Sequence, residues 1–391
     1  MSILKSVIMR MGSLFFCLLL AGCSLAGGEI HPSVSSPQTT EMVRQPLATS
    51  PRTVFPKPSL TPVVTQTKIS TPPDPSPTSS PVDIPKGDEK VLYLGIMVHL
   101  EHWDDEGNQT EFEEHVQLIR EYADLFEAYG AKLTLESKEL TEGIIQWGDN
   151  VLLEMEKRGH GVGVHADVGG YPAYECDRVP VVLQDKKDRL DSLGVRVRHI
   201  SGIASHCDWV TAAVETGYEF TTGQVAYSLM SMPEDQRPGK FRHCQSALKC
   251  HDVFPTRIED RIHPWRMRSG EDWLTHDPEG ELVMLASSQG LACMEEEILG
   301  TPGKGCTFQG KDIDLFLKEL EKALAVSEPG MINIYYVWWS IGEQILDKAL
   351  VEEWLQALEP YLASGQVEWK TLPEMYEAYR RWEEHHSEGE P

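Results

Sequence analysis

The chain has 391 residues, enough for one large folded domain with further segments, and 35 lysine and arginine residues stand against 61 aspartate and glutamate residues. The formal net charge of −26 at pH 7 argues against nucleic acid and anionic lipid headgroups as partners, because a surface of this charge repels both. Any attachment to a membrane is therefore expected to come from a separate segment.

The N-terminal segment has the pattern of an export signal. Lys5 and Arg10 precede the apolar run 14–20, which is too short to span a bilayer as a mature helix. The sequence LAGC, which ends at Cys23, resembles the lipobox of bacterial lipoproteins. This resemblance implies a signal peptide over 1–22 and a lipid on Cys23, which would hold the protein in the bacterial cell envelope, facing outward. A plain secretory signal is the alternative.

The next segment, 23–89, is rich in proline, serine and threonine and contains about half of the chain's 25 prolines. Such a composition cannot bury enough apolar surface to fold, and its prolines favour an extended backbone. The sequence therefore predicts a disordered linker between the lipidated Cys23 and a folded domain over 90–391.

Six further cysteines follow the linker, and their even number in an exported chain predicts up to three disulfides, with fifteen alternative pairings. They are Cys176, Cys207, Cys244, Cys250, Cys293 and Cys306. We favour the short-range pairs Cys244–Cys250 and Cys293–Cys306. Because the sequence has no CxxC motif, a cysteine zinc site is not expected.

From residue 90 onward, short apolar runs alternate with amphipathic segments. Strands are predicted over 91–100, 131–136, 161–165, 195–200, 218–223, 331–339 and 366–369, and helices over 111–130, 149–158, 181–193, 209–216, 311–325, 347–363 and 372–382. This alternation predicts a parallel α/β fold, either closed as a barrel or open as a doubly wound sheet. The loop-rich segment 231–310 predicts long insertions, and the lack of a glycine-rich phosphate motif argues against a nucleotide site.

Histidine and carboxylate side chains collect at three predicted strand ends. They are His99 and Glu101, then His165 and Asp167, then His206 and Asp208. Because reactive residues of parallel barrels lie at the C-terminal ends of the strands, we expect these side chains to lie close together. Imidazole and carboxylate are ligands that Zn²⁺ and similar ions accept. The alternative is that each histidine only hydrogen-bonds backbone where a strand ends.

Three stretches resemble the polysaccharide deacetylases of the NodB-homology family. LLEMEKRGHGVGVHADVGG is similar to the family motif G-H-E-I-G-x-H-(S/T)-x-x-H, GIASHCDWVTAAVETGYEFTTG to its next loop and helix, and GQVEWKTLPEMYEAYRRW to its closing strand and helix. The resemblance covers roughly 90–382. It implies an irregular (β/α) barrel of the glycoside hydrolase/deacetylase type and a divalent metal, usually zinc. It also implies hydrolysis of N- or O-acetyl groups on a cell-wall or exopolysaccharide sugar.

The resemblance assigns roles to residues at the matching positions. His99, Glu101, His165 and Asp167 are the expected metal ligands, and Glu101 and Asp167 are also the expected catalytic groups. The chain departs from the family in four places. HLEH, residues 99–102, stands where the family has T-F-D-D, so that Glu101 would take the carboxylate role and His99 or His102 a ligand role. Gly169 stands where the family has its second histidine, ASHCDW replaces the R-x-P-Y stretch, and YYVWWS offers no histidine where a late L-x-H supplies the general acid.

Aromatic and polar side chains near the strand ends predict contacts with a sugar, since an exposed indole can stack on a pyranose ring. The candidate substrate-binding residues are Trp103, His206, Asp208, Trp209 and Trp339. The adjacent pair Trp338 and Trp339 must point to opposite faces of its strand, so that part of this aromatic set is expected in the core.

The sequence thus favours a surface-anchored, metal-dependent, carbohydrate deacetylase-like hydrolase that acts on N- or O-acetylated polysaccharide. A non-catalytic carbohydrate-binding lipoprotein on a degenerate deacetylase barrel is the alternative, which the missing family histidines favour. A polysaccharide lyase or glycosidase with Glu101 and Asp167 as its carboxylate pair is the third hypothesis, because one fold can carry many reactions.

Overall fold

The computed structural model describes residues 85, 89–169, 173–245, 250–286, 288–299, 306–342 and 346–387. The predicted signal peptide, Cys23 and almost all of the predicted linker lie outside these residues. Across the described ranges, none of the helices is both long enough and apolar enough to cross a bilayer.

A mostly parallel sheet forms the centre of the described part of the chain. Its strands are β1 (Leu92–Leu100), β2 (Thr134–Ser137), β3 (Gly161–His165), β4 (His199–Ser201), β5 (Phe220–Thr221), β6 (Trp265–Met267), β7 (Leu282–Met284), β8 (Asn333–Ser340) and β9 (Val367–Trp369). The strand order is β6-β7-β5-β4-β3-β2-β1-β8, and β9 pairs with β1. The pairing of β6 with β7 is antiparallel, whereas the strands from β1 to β5 pair in parallel.

Helices connect the strands and share a hydrophobic core with them. They are α1 (Gln109–Ala128), α2 (Leu140–Trp147), α3 (Val151–Lys157), α4 (Val179–Ser192), α5 (Trp209–Glu215), α6 (Met294–Leu299), α7 (Gly310–Val326), α8 (Lys348–Ala363) and α9 (Leu372–Ser387). In α1, the apolar side chains at helical spacing are buried and join the same core cluster as the strand residues. Asn108 caps this helix by accepting from the backbone N–H groups of Thr110 and Glu111.

The sheet curls so that the chain beyond β7 reaches β8. The backbone N–H of Ser288 donates to the carbonyl of Tyr336 at 2.9 Å, and Gly290 forms a parallel bridge with Trp338. These contacts close the curled sheet toward β8, which already pairs with β1 on its other edge. The predicted (β/α) barrel is confirmed.

The segment 231–310, predicted as loop-rich, contains short 3₁₀ turns, the antiparallel β6 and β7 pair and α6. Within the described ranges three disulfides join Cys176 to Cys207, Cys244 to Cys250 and Cys293 to Cys306. Both favoured pairs are confirmed. The third disulfide ties the loop that follows β3 to the loop that follows β4, and the set as a whole fits a protein of an oxidising compartment.

Candidate metal centre

Side chains from three neighbouring strands converge at the C-terminal edge of the sheet. His99 lies near the end of β1, Glu136 in β2 and His165 at the end of β3, and the β1–β2 register pairs His99 with Glu136. One ligand atom from each of the three residues lies within 4.8 Å of the others. His99 Nε2 is 3.2 Å from Glu136 Oε2, and the rings of His99 and His165 stack with centroids 4.0 Å apart.

The donor atoms of this cluster fit a divalent metal ion. His99 Nε2 and Glu136 Oε2 are buried and lie 3.2 Å apart, but neither has a partner with hydrogen-bond geometry among the described residues, and a buried polar atom without a hydrogen bond costs about 1–3 kcal/mol. A shared cation removes this cost. Two ligands that each lie about 2.1 Å from a tetrahedral zinc ion are about 3.4 Å apart, close to the 3.2 Å between these two atoms. Two imidazoles and a carboxylate also match the ligand chemistry of zinc.

Glu101, in the loop that begins where β1 ends, lies beside His165 of the cluster and beside His102. Its Oε2 is 3.3 Å from His165 Nε2 and 3.6 Å from His102 Nε2. Burial raises the pKa of the Glu101 carboxyl, but His165, His99 and His102 together hold this pKa well below its usual value. Glu101 is therefore an anion beside the cluster, able to act as a further ligand or as a base.

Glu136 is fully buried, and its other oxygen, Oε1, contacts Thr222 and His199 rather than His99. The Thr222 hydroxyl donates to Glu136 Oε1 at 2.5 Å, and His199 Nε2 lies 3.3 Å from the same oxygen. Burial raises the pKa of Glu136, yet His199 and His99 hold it well below its usual value. Glu136 was not predicted from the sequence, because no histidine stands beside it there. The available signal was a carboxylate at the end of the predicted strand 131–136, since a buried glutamate is rare without a partner.

Asp167 lies in an ionic network beside the cluster. Its Oδ2 accepts from Lys138 Nζ at 2.9 Å, and Lys138 Nζ is also 3.7 Å from Glu101 Oε2. The side chain of Asp167 is 46% exposed, and its φ of 50° is in the left-handed region, which few residues other than glycine adopt. Glu136 thus takes the place in the ligand cluster that the sequence analysis gave to Asp167.

Two of the tryptophans predicted to contact a sugar lie in the core. Trp209 and Trp339 have no exposed surface, so the prediction that they stack on a sugar is wrong. For Trp339 the reason is the alternation of side chains along β8, which turns Trp338 rather than Trp339 toward the site. The Trp338 ring stacks on His99 with centroids 5.8 Å apart. Trp103, which is partly buried, stacks on the ring of His115 at 4.6 Å.

Asp208, predicted to contact substrate, has a structural role at the start of α5. It caps α5, since Oδ1 accepts from the backbone N–H groups of Thr211 at 3.1 Å and Gly270 at 2.7 Å. His206 is exposed, and its Nε2 lies 3.7 Å from the sulfur atoms of both Cys176 and Cys207. These two sulfurs are bonded to each other, so they are not available as thiolate ligands.

Comparisons with known proteins find no matching family model and no matching curated protein. Several solved structures are similar. Puue allantoinase has a TM-score of 0.49 and 13% identity over 75% of this chain and 91% of that one. The 4-alpha-glucanotransferase from Thermococcus litoralis has a TM-score of 0.46 and 14% identity over 73% and 40%. The Xyl-CE4 domain of a multidomain xylanase from the hindgut metagenome of Trinervitermes trinervoides has a TM-score of 0.32 and 8% identity over 74% and 91%. These likenesses carry no information about the chemistry of the site.

Proposed function

We propose that this protein is a metal-dependent hydrolase that removes N- or O-linked acetyl groups from a polysaccharide. The observation that carries the proposal is the convergence of His99, Glu136 and His165, with one ligand atom of each within 4.8 Å of the others, at the end of the barrel where catalytic residues collect. The choice of an acetylated sugar as the substrate rests on the resemblance of the sequence to polysaccharide deacetylases. The net charge of −26 disfavours a nucleic acid substrate.

The three clustered side chains would hold the ion, and zinc is the first candidate because two imidazoles and a carboxylate are a common zinc ligand set in hydrolases. When bound, such an ion acts as a Lewis acid on an acyl carbonyl and lowers the pKa of water. The stacking of the His99 and His165 rings and the burial of the Glu136 carboxylate restrict the movement of the ligand atoms.

Glu101 is the residue best placed to move a proton during hydrolysis. Its carboxylate accepts a proton from the attacking water and returns it to the leaving amine or alcohol, as a general base and then a general acid. Lys138, 3.7 Å from Glu101 Oε2, keeps this carboxylate oriented, and Asp167 holds Lys138 in turn at 2.9 Å. Asp167 therefore acts on the reaction through Lys138.

The partly exposed indoles beside the site suit a sugar ring. Trp338 stacks on His99, and Trp103 follows Glu101 by two residues. An indole face provides apolar contact area for the C–H face of a pyranose, while the surrounding carboxylates and Lys138 can hydrogen-bond its hydroxyl groups. In this proposal Trp338 and Trp103, rather than Trp209 and Trp339, line the substrate-binding surface.

Acetate release from acetylated xylan and from N-acetylated chitooligosaccharides tests this function. We expect release by the zinc-loaded protein, loss of release with a chelator, and a fall of about 10²–10⁴-fold in rate for Glu101→Gln. Glu106→Gln changes an exposed carboxylate in the same loop and should retain the wild-type rate. A Glu101→Gln protein that hydrolyses as fast as the wild type would rule out the assigned base.

A non-catalytic carbohydrate-binding lipoprotein is the second candidate. The observation that favours it is the β1–β8 register, in which Ser340 rather than a histidine stands opposite His99, so that β8 offers no general acid at this point. Glycan binding measured by calorimetry on the zinc-loaded protein, together with no acetate release from any acetylated polymer, would favour this second function over hydrolysis.

We further propose that a lipid on Cys23 anchors the protein in the bacterial cell envelope. The export-type N-terminus, the proline-rich linker and the three disulfides support an exported location. Cys23→Ser should move the exported protein from the membrane fraction to the soluble fraction. Membrane association that survives this change would place the anchor elsewhere.

A further inference from the structure

A second buried histidine, His199, lies behind the metal cluster. It is the first residue of β4, its side chain has no exposed surface, and its ring stacks on Phe220 with centroids 4.8 Å apart. His199 Nε2 is 3.3 Å from Glu136 Oε1, the oxygen on the opposite side of the carboxylate from His99. An imidazole is costly to bury without a polar contact, and its contact here is the carboxylate of a candidate ligand.

The neighbouring strand leaves space for this imidazole. Gly163 in β3 is paired in register with Glu136 in β2, and a Cβ atom at Gly163 would lie 2.3–2.6 Å from three atoms of the His199 ring. These distances are far shorter than van der Waals contact, so any other residue at 163 would push the ring away. The glycine and the histidine together therefore allow an imidazole to press against Glu136.

Thr222 holds the same oxygen from another direction. Its hydroxyl donates to Glu136 Oε1 at 2.5 Å, and it follows β5, whereas His199 belongs to β4. The Thr222 hydrogen bond and the His199 imidazole, which lies 3.3 Å from Oε1 without the geometry of a hydrogen bond, both oppose rotation of the carboxylate. Oε2 therefore remains directed at His99 Nε2, 3.2 Å away.

We propose that His199 is a positioning residue of the candidate metal centre, which together with Thr222 fixes Glu136 so that its Oε2 is presented to a metal ion. This inference rests on the proposed function, because it needs Glu136 to be a ligand. His199 acts only through Glu136. Groups that hold a metal ligand from behind typically contribute about 10–100-fold to metal affinity.

The test is the zinc affinity of the intact protein, measured by competition with a chromophoric chelator. His199→Phe keeps a ring that can stack on Phe220 but removes the nitrogen beside Glu136, and we expect its affinity to fall by about 10–100-fold. His199→Gln restores an N–H group that can donate to Glu136, and it should recover most of that loss. The absorption bands of bound cobalt should change in His199→Phe and return toward the wild-type pattern in His199→Gln.

Matched variants separate this role from a general effect on folding. His251→Phe changes an exposed histidine with no role in the proposed site and should keep the wild-type affinity for zinc. Where His199→Phe fails to fold, Thr222→Val removes the other contact on Oε1 and should also weaken zinc binding. Equal zinc affinity of the wild type and a folded His199→Phe, or an equal loss in the phenylalanine and glutamine variants, would overturn the positioning role. A wild-type protein that binds no zinc would instead refute the proposed function, and the inference with it.

Discussion

His165 is held at its inner nitrogen by a hydroxyl group from the next strand. The Nδ1 atom of His165 lies 2.8 Å from the Oγ atom of Ser201, while Nε2 faces Glu101 Oε2 at 3.3 Å. Gly202, with φ of 65°, lies behind the ring, and a Cβ there would come within 2.9 Å of it. Hydrogen bonding of one ring nitrogen is the usual way in which a protein orients a metal-binding imidazole.

Replacing His165 with alanine should remove a metal ligand and leave the fold intact. We expect zinc affinity to fall by more than the roughly 100-fold that loss of a supporting residue can cost, because a direct ligand is lost. The measurement is chelator competition, paired with thermal unfolding of the metal-free proteins. His251→Ala, at an exposed histidine, is the matched control, and wild-type zinc affinity in the His165→Ala protein would remove His165 from the site.

At the residue scale, the sequence predicted the ligands where a histidine and a carboxylate stand together at a strand end, and it missed the lone glutamate of β2 and the lone histidine of β4. His99, Glu101 and His165 were identified because polar residues at the ends of predicted parallel strands meet at one edge of the barrel. Glu136 and His199 each stand without such a partner in the sequence, and a strand pattern gives no indication of which residues face each other across the sheet. That relation depends on strand order and register, which the sequence did not provide.

At the element scale, a cluster of charges joins α1 to the end of α3 and the start of β3. Glu127 in α1 accepts from Arg158 Nη2 at 2.9 Å and from Lys132 Nζ at 2.6 Å. His160 Nδ1 accepts from the backbone N–H of Leu133, so its Nε2 carries the proton and donates to Glu127 at 2.9 Å. Arg158 above all, with Lys132 and His160, lowers the pKa of Glu127 to about 2, although burial raises it.

Glu127→Gln should therefore destabilise the fold in a pH-dependent way. The folded-state pKa of about 2 lies below the ordinary value of 4.5, so the stabilisation is complete above about pH 4.5 and is lost as the pH falls toward 2. The partly exposed position reduces the effect, and we expect a loss of about 1–2 kcal/mol in the free energy of unfolding at pH 7.

Urea unfolding of the wild type and of Glu127→Gln between pH 2 and pH 7 measures this difference. The two stabilities should converge at the acid end of the series. Glu114→Gln, an exposed position on the same helix, should match the wild type throughout. A difference between wild type and Glu127→Gln that stays constant from pH 7 to pH 2 would contradict the ionic origin of the effect.

Element prediction succeeded where the hydrophobic pattern was long and failed where it was short. The buried run at 91–100 and the amphipathic stretch at 111–130 correspond closely to β1 and α1. Helix α2, of eight residues, was not predicted, because two turns give too few repeats of a helical pattern. Strand β4 has three residues, whereas six were predicted over 195–200. It is shorter because only His199, Ile200 and Ser201 pair with β3 or β5.

At the scale of the whole molecule, the disulfides close loops of different lengths. Cys176–Cys207 spans 31 residues, Cys293–Cys306 spans 13 and Cys244–Cys250 spans 6. In the chain-entropy model a cross-link stabilises more as its loop lengthens, by about 4 kcal/mol for the longest of these and about 2 kcal/mol for the shortest. The longest loop also joins two segments that border the metal cluster.

We expect thiol titration under denaturing, non-reducing conditions to find no free cysteine among the six of the folded part. The double variant Cys176→Ser/Cys207→Ser should lower the free energy of unfolding more than Cys244→Ser/Cys250→Ser, which serves as the matched control. The measurement is chemical unfolding of both variants at one pH. The reverse order of stability losses would contradict the loop-length account, and free thiols in the wild type would contradict the pairing.

The most direct test of the metal centre is anomalous X-ray scattering at the zinc edge from crystals of the zinc-loaded protein. We expect a strong peak within about 2.3 Å of His99 Nε2, Glu136 Oε2 and His165 Nε2, and the loss of this peak in crystals of His165→Ala. Wild-type crystals with no peak among these three residues, or with zinc bound only elsewhere on the molecule, would contradict the proposed metal centre.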